Sequence, residues 1–153
     1  MKVFVSYGQS ADQWSALRLQ ALAAAHGFTV YVPPSYTRQS PLLDSESEQK
    51  IRESDIVLGM VGLGLSDACR HELNAAQAAG KPAIVMANPG HAALFQNLGW
   101  NVVEIDPSHP EQAELGIVQK LRNVQAERSK NALIAFGTLA LGLLVVAALA
   151  PQE

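Results

Sequence analysis

Short apolar runs alternate with stretches of helical spacing along residues 1–125. Apolar runs bounded by Gly, Pro, Asn or Asp are typical of buried strands, and spacings of three and four residues are typical of helices. The runs predict strands at Val3–Val5, Phe28–Val32, Ile56–Val61, Pro82–Ala87 and Asn101–Ile105. The spacings predict helices at Asp12–His26, Ser45–Ser54, Asp67–Ala79 and from Pro110 onward, with a loop between Val32 and Ser45.

This alternation of strands and helices predicts an α/β fold with one parallel sheet and helices on both of its faces. For five strands we predict the flavodoxin-like order 2-1-3-4-5. In that order the chain changes direction between the first and third strands, and ligands bind beyond the carboxyl ends of those strands. Two loops are therefore candidates for a ligand site, residues 6–12 after the first strand and residues 62–67 after the third.

Residues that favour helix ends lie at the predicted boundaries. Gly27 and Gly80 follow two of the helices, where glycine is preferred because it tolerates a left-handed backbone. Ser66 is expected to cap the third helix, and Ser45 with Glu48 fits a capping box at the start of the second. These signals support the predicted order of elements.

The last part of the chain is apolar all round. Residues 132–150 contain no charged side chain, and a helix of this segment is about 28 Å long, close to the hydrocarbon thickness of a bilayer. We predict a transmembrane helix here, because a core helix of so small a domain would carry a polar stripe. Basic residues precede the segment and none follows it, namely Lys120, Arg122, Arg128 and Lys130. By the positive-inside rule, the protein is then a single-pass membrane protein with a C-terminal anchor and a cytoplasmic domain.

The anchor divides the chain into a domain at 1–125, a basic juxtamembrane segment at 126–131, the transmembrane helix at 132–150 and a short tail at 151–153. The lipid bilayer is thus one expected partner. Small residues four positions apart on a membrane helix favour contact between two such helices, and Thr138 and Gly142 have this spacing. Self-association is therefore a second expectation.

Composition narrows the possible partners. The chain has 11 Lys and Arg against 14 Asp and Glu, a formal net charge of −3, whereas proteins that bind nucleic acid usually carry a basic face. We therefore expect no nucleic-acid partner. Cys69 is the only cysteine, so no intrachain disulfide can form, and the 4 histidines lack the spacing of metal ligands. No metal site is predicted.

Glu72 is a candidate functional residue because of its position on the predicted helix 67–79. Cys69, Leu73 and Ala76 form the stripe that should face the sheet, and Glu72 lies beside that stripe with alanines three and four positions away. A carboxylate next to the core with small neighbours leaves space for a ligand. The alternative is a solvated helix glutamate that interacts favourably with the helix dipole.

Two motifs resemble those of TIR domains. Residues 3–7, Val-Phe-Val-Ser-Tyr, with Asp12 in the next turn, are similar to the first box of the family. Residues 66–73 resemble the helix that carries the glutamate of NAD-cleaving TIR domains, with Cys-x-x-Glu-Leu in register. The chain departs from the family at Ala68, where tryptophan is frequent, and in the loop 32–38, which lacks the usual Arg-Asp and Pro-Gly pattern.

The resemblance implies cleavage of NAD between nicotinamide and ribose, with NAD as the substrate and without a cofactor. Glu72 would be the catalytic anion that stabilises an oxocarbenium-like ribose. One carboxylate suffices because nicotinamide leaves from a positively charged pyridinium, whereas ordinary glycosidases protonate the leaving group with a second carboxyl. The residues expected to contact the substrate are Ser6, Tyr7, Gly8, Arg38 and Cys69. Arg38 would meet a phosphate if its loop folds over the crevice.

Other functions stay open on the sequence alone. In microbial relatives NAD cleavage serves antiviral defence, but many TIR domains act as non-catalytic modules that self-associate, which a bilayer promotes by raising local concentration. A sensor domain with a tail that damages the membrane is a variant of that function. The chain also resembles nucleoside deoxyribosyltransferases, which have a glutamate on the helix after the third strand, followed by Gly-Lys-Pro. Glu72 and Gly80-Lys81-Pro82 match this pattern.

Overall fold

A computed structural model describes residues 1–40, 42–62, 64–97 and 100–128 of the chain. The strands are β1 (Lys2–Tyr7), β2 (Thr29–Tyr31), β3 (Ile56–Met60), β4 (Ala83–Ala87) and β5 (Asn101–Glu104). The α-helices are α1 (Ser10–Ala25), α2 (Ser45–Glu53), α3 (Asp67–Ala78), α4 (Pro89–Asn97) and α5 (Pro110–Arg128). A 3-10 helix covers Ser35–Gln39 within the predicted loop between β2 and α2.

The strands form one parallel sheet in the order β2-β1-β3-β4-β5, which confirms the predicted flavodoxin-like order. In the register of β1 with β3, Ser6 lies opposite Gly59 and Tyr7 lies opposite Met60. The carboxyl ends of these two strands therefore meet at one edge of the sheet. We call the two loops that follow them, residues 8–9 and 61–66, the switch point.

Helices cover both faces of the sheet, as predicted. Successive side chains of a strand point to opposite faces, so β1 contributes to two separate cores. Helices α1 and α5 build one core with Val3, Val5, Tyr7, Leu19, Ile117 and Leu121. Helices α2, α3 and α4 build the other with Phe4, Ile51, Cys69, Leu73 and Phe95.

Helix α1 turns its largest apolar side chain away from the sheet. Trp14 is 74% exposed, although it is the most hydrophobic position at the start of this helix. The residues that face the sheet instead are Asp12, Ala16, Leu19 and Ala23. Small alanines allow the helix to pack closely, and this rotation directs Asp12 inward at the first turn.

The N-cap of α2 differs from the predicted one. Asp44 is the N-cap rather than Ser45, because its carboxylate accepts hydrogen bonds from the N–H groups of Glu46 and Ser47 at 3.0 and 3.1 Å. Aspartate caps a helix as well as serine does. The predicted cap of α3 is confirmed, since the Ser66 hydroxyl accepts a hydrogen bond from the N–H of residue 69 at 3.2 Å.

Helix α4 lies in a segment for which no element is predicted from the sequence. It begins at Pro89, a residue that suits the first turn of a helix, and it buries Ala92 and Phe95. Two buried positions in a short helix give a weak periodic pattern, so the sequence signal is poor.

The predicted transmembrane helix at 132–150 lies outside the described residues, as does the tail at 151–153. None of the helices in the described part of the chain combines the length and apolarity that a bilayer crossing needs. The membrane anchor therefore stays a prediction.

Candidate active site

Glu72 and Ser6 meet at the carboxyl end of β1. Helix α3 approaches the sheet closely at Gly59, where an added Cβ would lie 3.1 Å from Cδ2 of Leu73. The Ser6 hydroxyl donates a hydrogen bond to Oε2 of Glu72. Glu72 is only 1% exposed, so the alternative of a solvated helix glutamate is wrong. The sheet edge therefore holds a buried acidic side chain next to the switch point.

Arg38 covers the same carboxylate from the loop that follows β2. Its Nη1 and Nη2 atoms donate to Oε2 and Oε1 of Glu72 at 2.7 and 2.5 Å. Thr37 orients the guanidinium, because its Oγ1 accepts hydrogen bonds from Nε and Nη2 of Arg38 at 3.1 and 2.9 Å. The Arg38 side chain is 8% exposed. The result is a buried, bidentate ion pair, the strongest geometry of this kind.

This ion pair balances charge in a region that water hardly reaches. Burial by itself lowers the pKa of Arg38, but the hydrogen bonds and negative charge of Glu72 outweigh it, so the pKa is raised. Both carboxylate oxygens of Glu72 are occupied in this arrangement. Ser6 and Arg38 therefore enclose the carboxylate in this arrangement.

Tyr7 supports the loop that carries Arg38. Its hydroxyl donates a hydrogen bond to the carbonyl oxygen of Pro33 at 2.9 Å. Its ring centroid lies 5.0 Å from the guanidinium carbon of Arg38, within cation–π range. Burial raises the pKa of Tyr7, with a smaller opposing effect from Arg38. Tyr7 is fully buried, so it fixes the loop from beneath.

Gly8 lies where the two loops of the switch point touch. Its N–H donates a hydrogen bond to the carbonyl oxygen of Met60 at 3.0 Å. A Cβ at this position would lie 2.6 Å from the carbonyl oxygen of Gly64, which is too close for any real side chain. Glycine at position 8 is therefore required for the contact between the loops.

Cys69 lies behind Ser6, in the core under α3. Its side chain is fully buried, and burial is the main cause that raises the pKa of its thiol to about 12. Since the thiolate is the reactive form, this cysteine is unreactive at neutral pH. Cys69 thus backs the contact of Ser6 with the carboxylate and has no open surface.

The structure brings four of the predicted residues into one group, the Glu72 cluster, which consists of Ser6, Tyr7, Arg38 and Glu72. Cys69 lies behind this cluster and Gly8 lies at the neighbouring loop contact. Arg38 contacts the carboxylate of Glu72, whereas the sequence predicts that it meets a phosphate.

Two residues of this region are missing from the predicted set. Thr37 orients Arg38, and nothing in the sequence distinguishes it from other loop residues. Asp12 is buried beside the switch point, where its Oδ1 accepts a hydrogen bond from the N–H of Gly62 at 3.2 Å. Its place in the TIR-like first box was a signal, because an acidic side chain next to a ligand-binding loop is a candidate functional group.

Comparison with solved structures bears on the fold. The chain is similar to the Clostridium botulinum CMP N-glycosidase BcmB, with a TM-score of 0.53 and 19% sequence identity over 80% of this chain and 98% of that chain. It therefore shares the fold of that N-glycosidase. A weaker similarity links it to the TIR domains of the activated Roq1 resistosome that directly recognizes the pathogen effector XopQ, with a TM-score of 0.48 and 12% identity over 89% of this chain and 78% of that chain. No protein-family model matches the sequence, and no curated protein matches it.

Proposed function

We propose that the protein is an N-glycosidase that breaks the bond between ribose C1′ and the base nitrogen of a nucleotide, with NAD as the first substrate to test. The observation that carries this proposal is the buried carboxylate of Glu72, held beside the switch point by Ser6 and Arg38. Charges buried at the ligand-binding edge of an α/β sheet are typical of functional sites. The fold shared with a CMP N-glycosidase favours nucleotides over other glycosides.

In this reaction Glu72 acts as an anion. Positive charge develops on the ribose as the base leaves, and a carboxylate in a water-poor site stabilises that charge. Ser6 fixes the orientation of one carboxylate oxygen through its hydrogen bond. A water molecule adds its oxygen to C1′ and gives a proton to Glu72. With NAD no acid is required, because nicotinamide leaves from a pyridinium and departs as a neutral molecule.

In this proposal, binding of the substrate to Arg38 frees the Glu72 carboxylate from its ion pair. Its guanidinium holds both oxygens of Glu72, and the same planar donor fits the oxygens of a phosphate. A nucleotide whose phosphate takes over Arg38 frees the carboxylate to face the ribose. Nucleosides without a phosphate lack this exchange and are expected to be poor substrates.

The test measures base release by the full-length protein in detergent. NAD, nicotinamide mononucleotide and CMP are incubated with the wild type, Glu72→Gln and Glu114→Gln, and free base is quantified by chromatography. Glu114 is the matched control, because it is also buried, at 6% exposure, and pairs with Arg18 at 3.0 Å, but lies on α5. We expect Glu72→Gln to lower release at least about 100-fold and Glu114→Gln to stay within about twofold of wild type.

Wild-type rates in Glu72→Gln would refute Glu72 as the catalytic carboxylate. Wild-type protein that releases no base would favour a second candidate function, a non-catalytic module that self-associates. The closed pair of Arg38 with Glu72 is the observation that favours this candidate, since a pair with only a structural role would have the same geometry. Transfer of deoxyribose from a deoxynucleoside to an added free base would indicate the deoxyribosyltransferase-like alternative.

The proposed setting is a cytoplasmic domain tethered to a bilayer by residues 132–150 and able to self-associate. The resemblance to TIR domains favours a role in signalling or antiviral defence, through NAD depletion or an ADP-ribose signal.

Membrane fractionation of the full chain, compared with a chain that ends at residue 131, tests the anchor. Recovery of both in the soluble fraction would contradict it. Toxicity that disappears on truncation while NAD cleavage persists would indicate that the tail is an effector.

A further inference from the structure

Asp12 is a second buried carboxyl group at the switch point, and the proposed reaction does not use it. It lies in the first turn of α1 and is 8% exposed. Its Oδ1 accepts a hydrogen bond from the N–H of Gly62. Its Oδ2 is buried and has no hydrogen-bond partner within the described part of the chain. One oxygen is therefore anchored, and the other is buried without a partner in the described part of the chain.

Glycines surround this carboxyl group in both loops of the switch point. A Cβ on Gly62 would lie 2.8 Å from Oδ1 of Asp12, and a Cβ on Gly8 would lie 3.6 Å from Oδ2. A side chain at position 62 would displace the carboxyl group, so the loop backbone is fitted around it. Ligands of this class of fold bind beyond the carboxyl ends of the same two strands. The free oxygen therefore lies where a ligand is expected.

Asp12 on α1 and Glu72 on α3 both lie near the Cys69 thiol. Burial is the main cause that raises the pKa of the Cys69 thiol to about 12, and the negative charges of both Glu72 and Asp12 add to it. Ser6 contacts Glu72, and Gly8, two positions further along the chain, lies beside Asp12. The two carboxyl groups therefore flank the carboxyl end of β1, the edge of the sheet at which a ligand is expected.

The surroundings of Asp12 favour its neutral form more than water does. Burial raises its pKa above the ordinary value of 3.8, against the opposing effect of backbone hydrogen bonds from Gln9 and Gly62. Since Oδ1 accepts the N–H of Gly62, the proton of the neutral acid belongs on Oδ2. Glu72 faces a guanidinium instead. Two carboxyl groups in such contrasting surroundings divide the roles of acid and anion in other enzymes.

We infer that Asp12 is the general acid of this site and protonates the leaving base of nucleotides whose base is neutral. The inference rests on the proposed function and supplies the acid that this site needs for nucleotides with a neutral base, such as CMP. As the bond between C1′ and nitrogen breaks, its electron pair goes to the base, which takes the proton from Oδ2 of Asp12. Water adds to C1′ and gives a proton to Glu72. That proton returns to Asp12 through solvent, so both carboxyl groups are restored.

Two substrates that differ only in the leaving base separate this role from a structural one. CMP and nicotinamide mononucleotide share the 5′-phosphoribosyl group, but cytosine needs a proton to leave and nicotinamide does not. We expect Asp12→Asn to lower kcat for CMP at least about 100-fold and kcat for nicotinamide mononucleotide less than about threefold, because general acids contribute about 10²–10⁴-fold. Asp106→Asn is the matched control, because Asp106 is an exposed aspartate whose Oδ1 also accepts a hydrogen bond from a backbone N–H, and it should change neither rate.

Equal losses for the two substrates in Asp12→Asn would overturn the inference, since they would indicate that Asp12 only maintains the loop contact. Full CMP activity in that variant would also overturn it, as would a wild type that cleaves nicotinamide mononucleotide but not CMP. In each case the proposed function survives if Glu72→Gln abolishes activity. A wild type that cleaves neither nucleotide nor NAD refutes the proposed function itself. If Asp12→Asn does not fold, Asp12→Ser is measured with the same expected ratio.

Discussion

Glu72 and Asp12 are buried carboxyl groups on two sides of one sheet edge, and their surroundings are opposite. Glu72 accepts hydrogen bonds from Ser6 and from both terminal nitrogens of Arg38, so its two oxygens are occupied. Asp12 accepts a hydrogen bond from a backbone N–H on one oxygen, and the other oxygen is unpartnered among the residues described. Their exposed fractions, 1% and 8%, are similar. Depth alone therefore does not distinguish them.

The contrast shows that the partner decides what a buried carboxyl group can do. A carboxylate beside a guanidinium keeps its charge, and removing the cation leaves an uncompensated charge in the interior. A buried carboxyl group that ionises without a neighbouring cation destabilises the folded state, because burial of an unpaired charge is unfavourable. The first group suits stabilisation of a positive transition state, and the second suits donation of a proton.

Arg38→Ala should have the largest effect on stability, because it leaves the buried carboxyl group of Glu72 without its cation. We expect a decrease in the free energy of unfolding of about 3–5 kcal/mol, measured by urea titration. Arg38→Lys keeps the charge but loses the planar, bidentate geometry, so its effect should be smaller. A decrease below about 1 kcal/mol in Arg38→Ala would mean that the pair behaves as an exposed one.

Tyr7→Phe removes the hydrogen bond to Pro33 while keeping the ring under Arg38. The lost bond leaves a buried carbonyl oxygen without its donor, which destabilises the fold by about 1–2 kcal/mol. Thermal unfolding of the variant and the wild type measures this difference. Because the ring remains, the ion pair should persist. A loss as large as that of Arg38→Ala would show that the hydroxyl, rather than the ring, holds the loop in place.

Arg18→Ala is the matched control for the buried pair, because it also removes an arginine from a glutamate. The Arg18 side chain is 56% exposed, whereas that of Arg38 is 8% exposed. Solvent screens the charge of Arg18 although Glu114 is buried, so the loss of this pair should lower the free energy of unfolding by about 1 kcal/mol, less than the loss of Arg38 does. A decrease equal to that of Arg38→Ala would remove the distinction between the two pairs.

The smallest expected effect is a pH dependence due to Asp12. Burial raises its pKa above 3.8, so the folded protein binds this proton more tightly than the unfolded chain does. Stability from this linkage is fully present below pH 3.8 and is lost as pH rises through the folded-state pKa. Wild type should therefore lose stability relative to Asp12→Asn as pH increases above about 4, in urea titrations at a series of pH values. Parallel pH curves would contradict a raised pKa.

The order of the sheet was predictable because strands covered on both faces are apolar throughout and stand out from their surroundings. The inward face of α1 was harder to predict. Trp14 dominates the sequence pattern but is 74% exposed, while Ala16 and Ala23 pack against the sheet. In an alanine-rich helix, periodicity indicates the helix better than it indicates which side is buried.

Glu72 was predictable because the stripe of α3 is clear and places the carboxyl group beside the core. Its partner was not predictable, because Arg38 lies 34 positions away and the contact depends on the conformation of the loop after β2. The same is true of Asp12, whose anchor on Gly62 lies 50 positions along the chain. Local spacing indicates which residues face the interior, whereas pairing across loops depends on the tertiary structure.

Arg38 lies on a 3-10 helix of 5 residues that follows β2, a strand of 3 residues at the margin of the sheet. This segment therefore follows the edge of the sheet rather than its central strands. If a phosphate takes over Arg38 as proposed, small multivalent anions compete with Glu72 for the guanidinium, and the ionic composition of the medium controls access to the carboxylate. Inorganic phosphate at millimolar concentration would then bind Arg38 and expose the Glu72 carboxylate before any nucleotide binds.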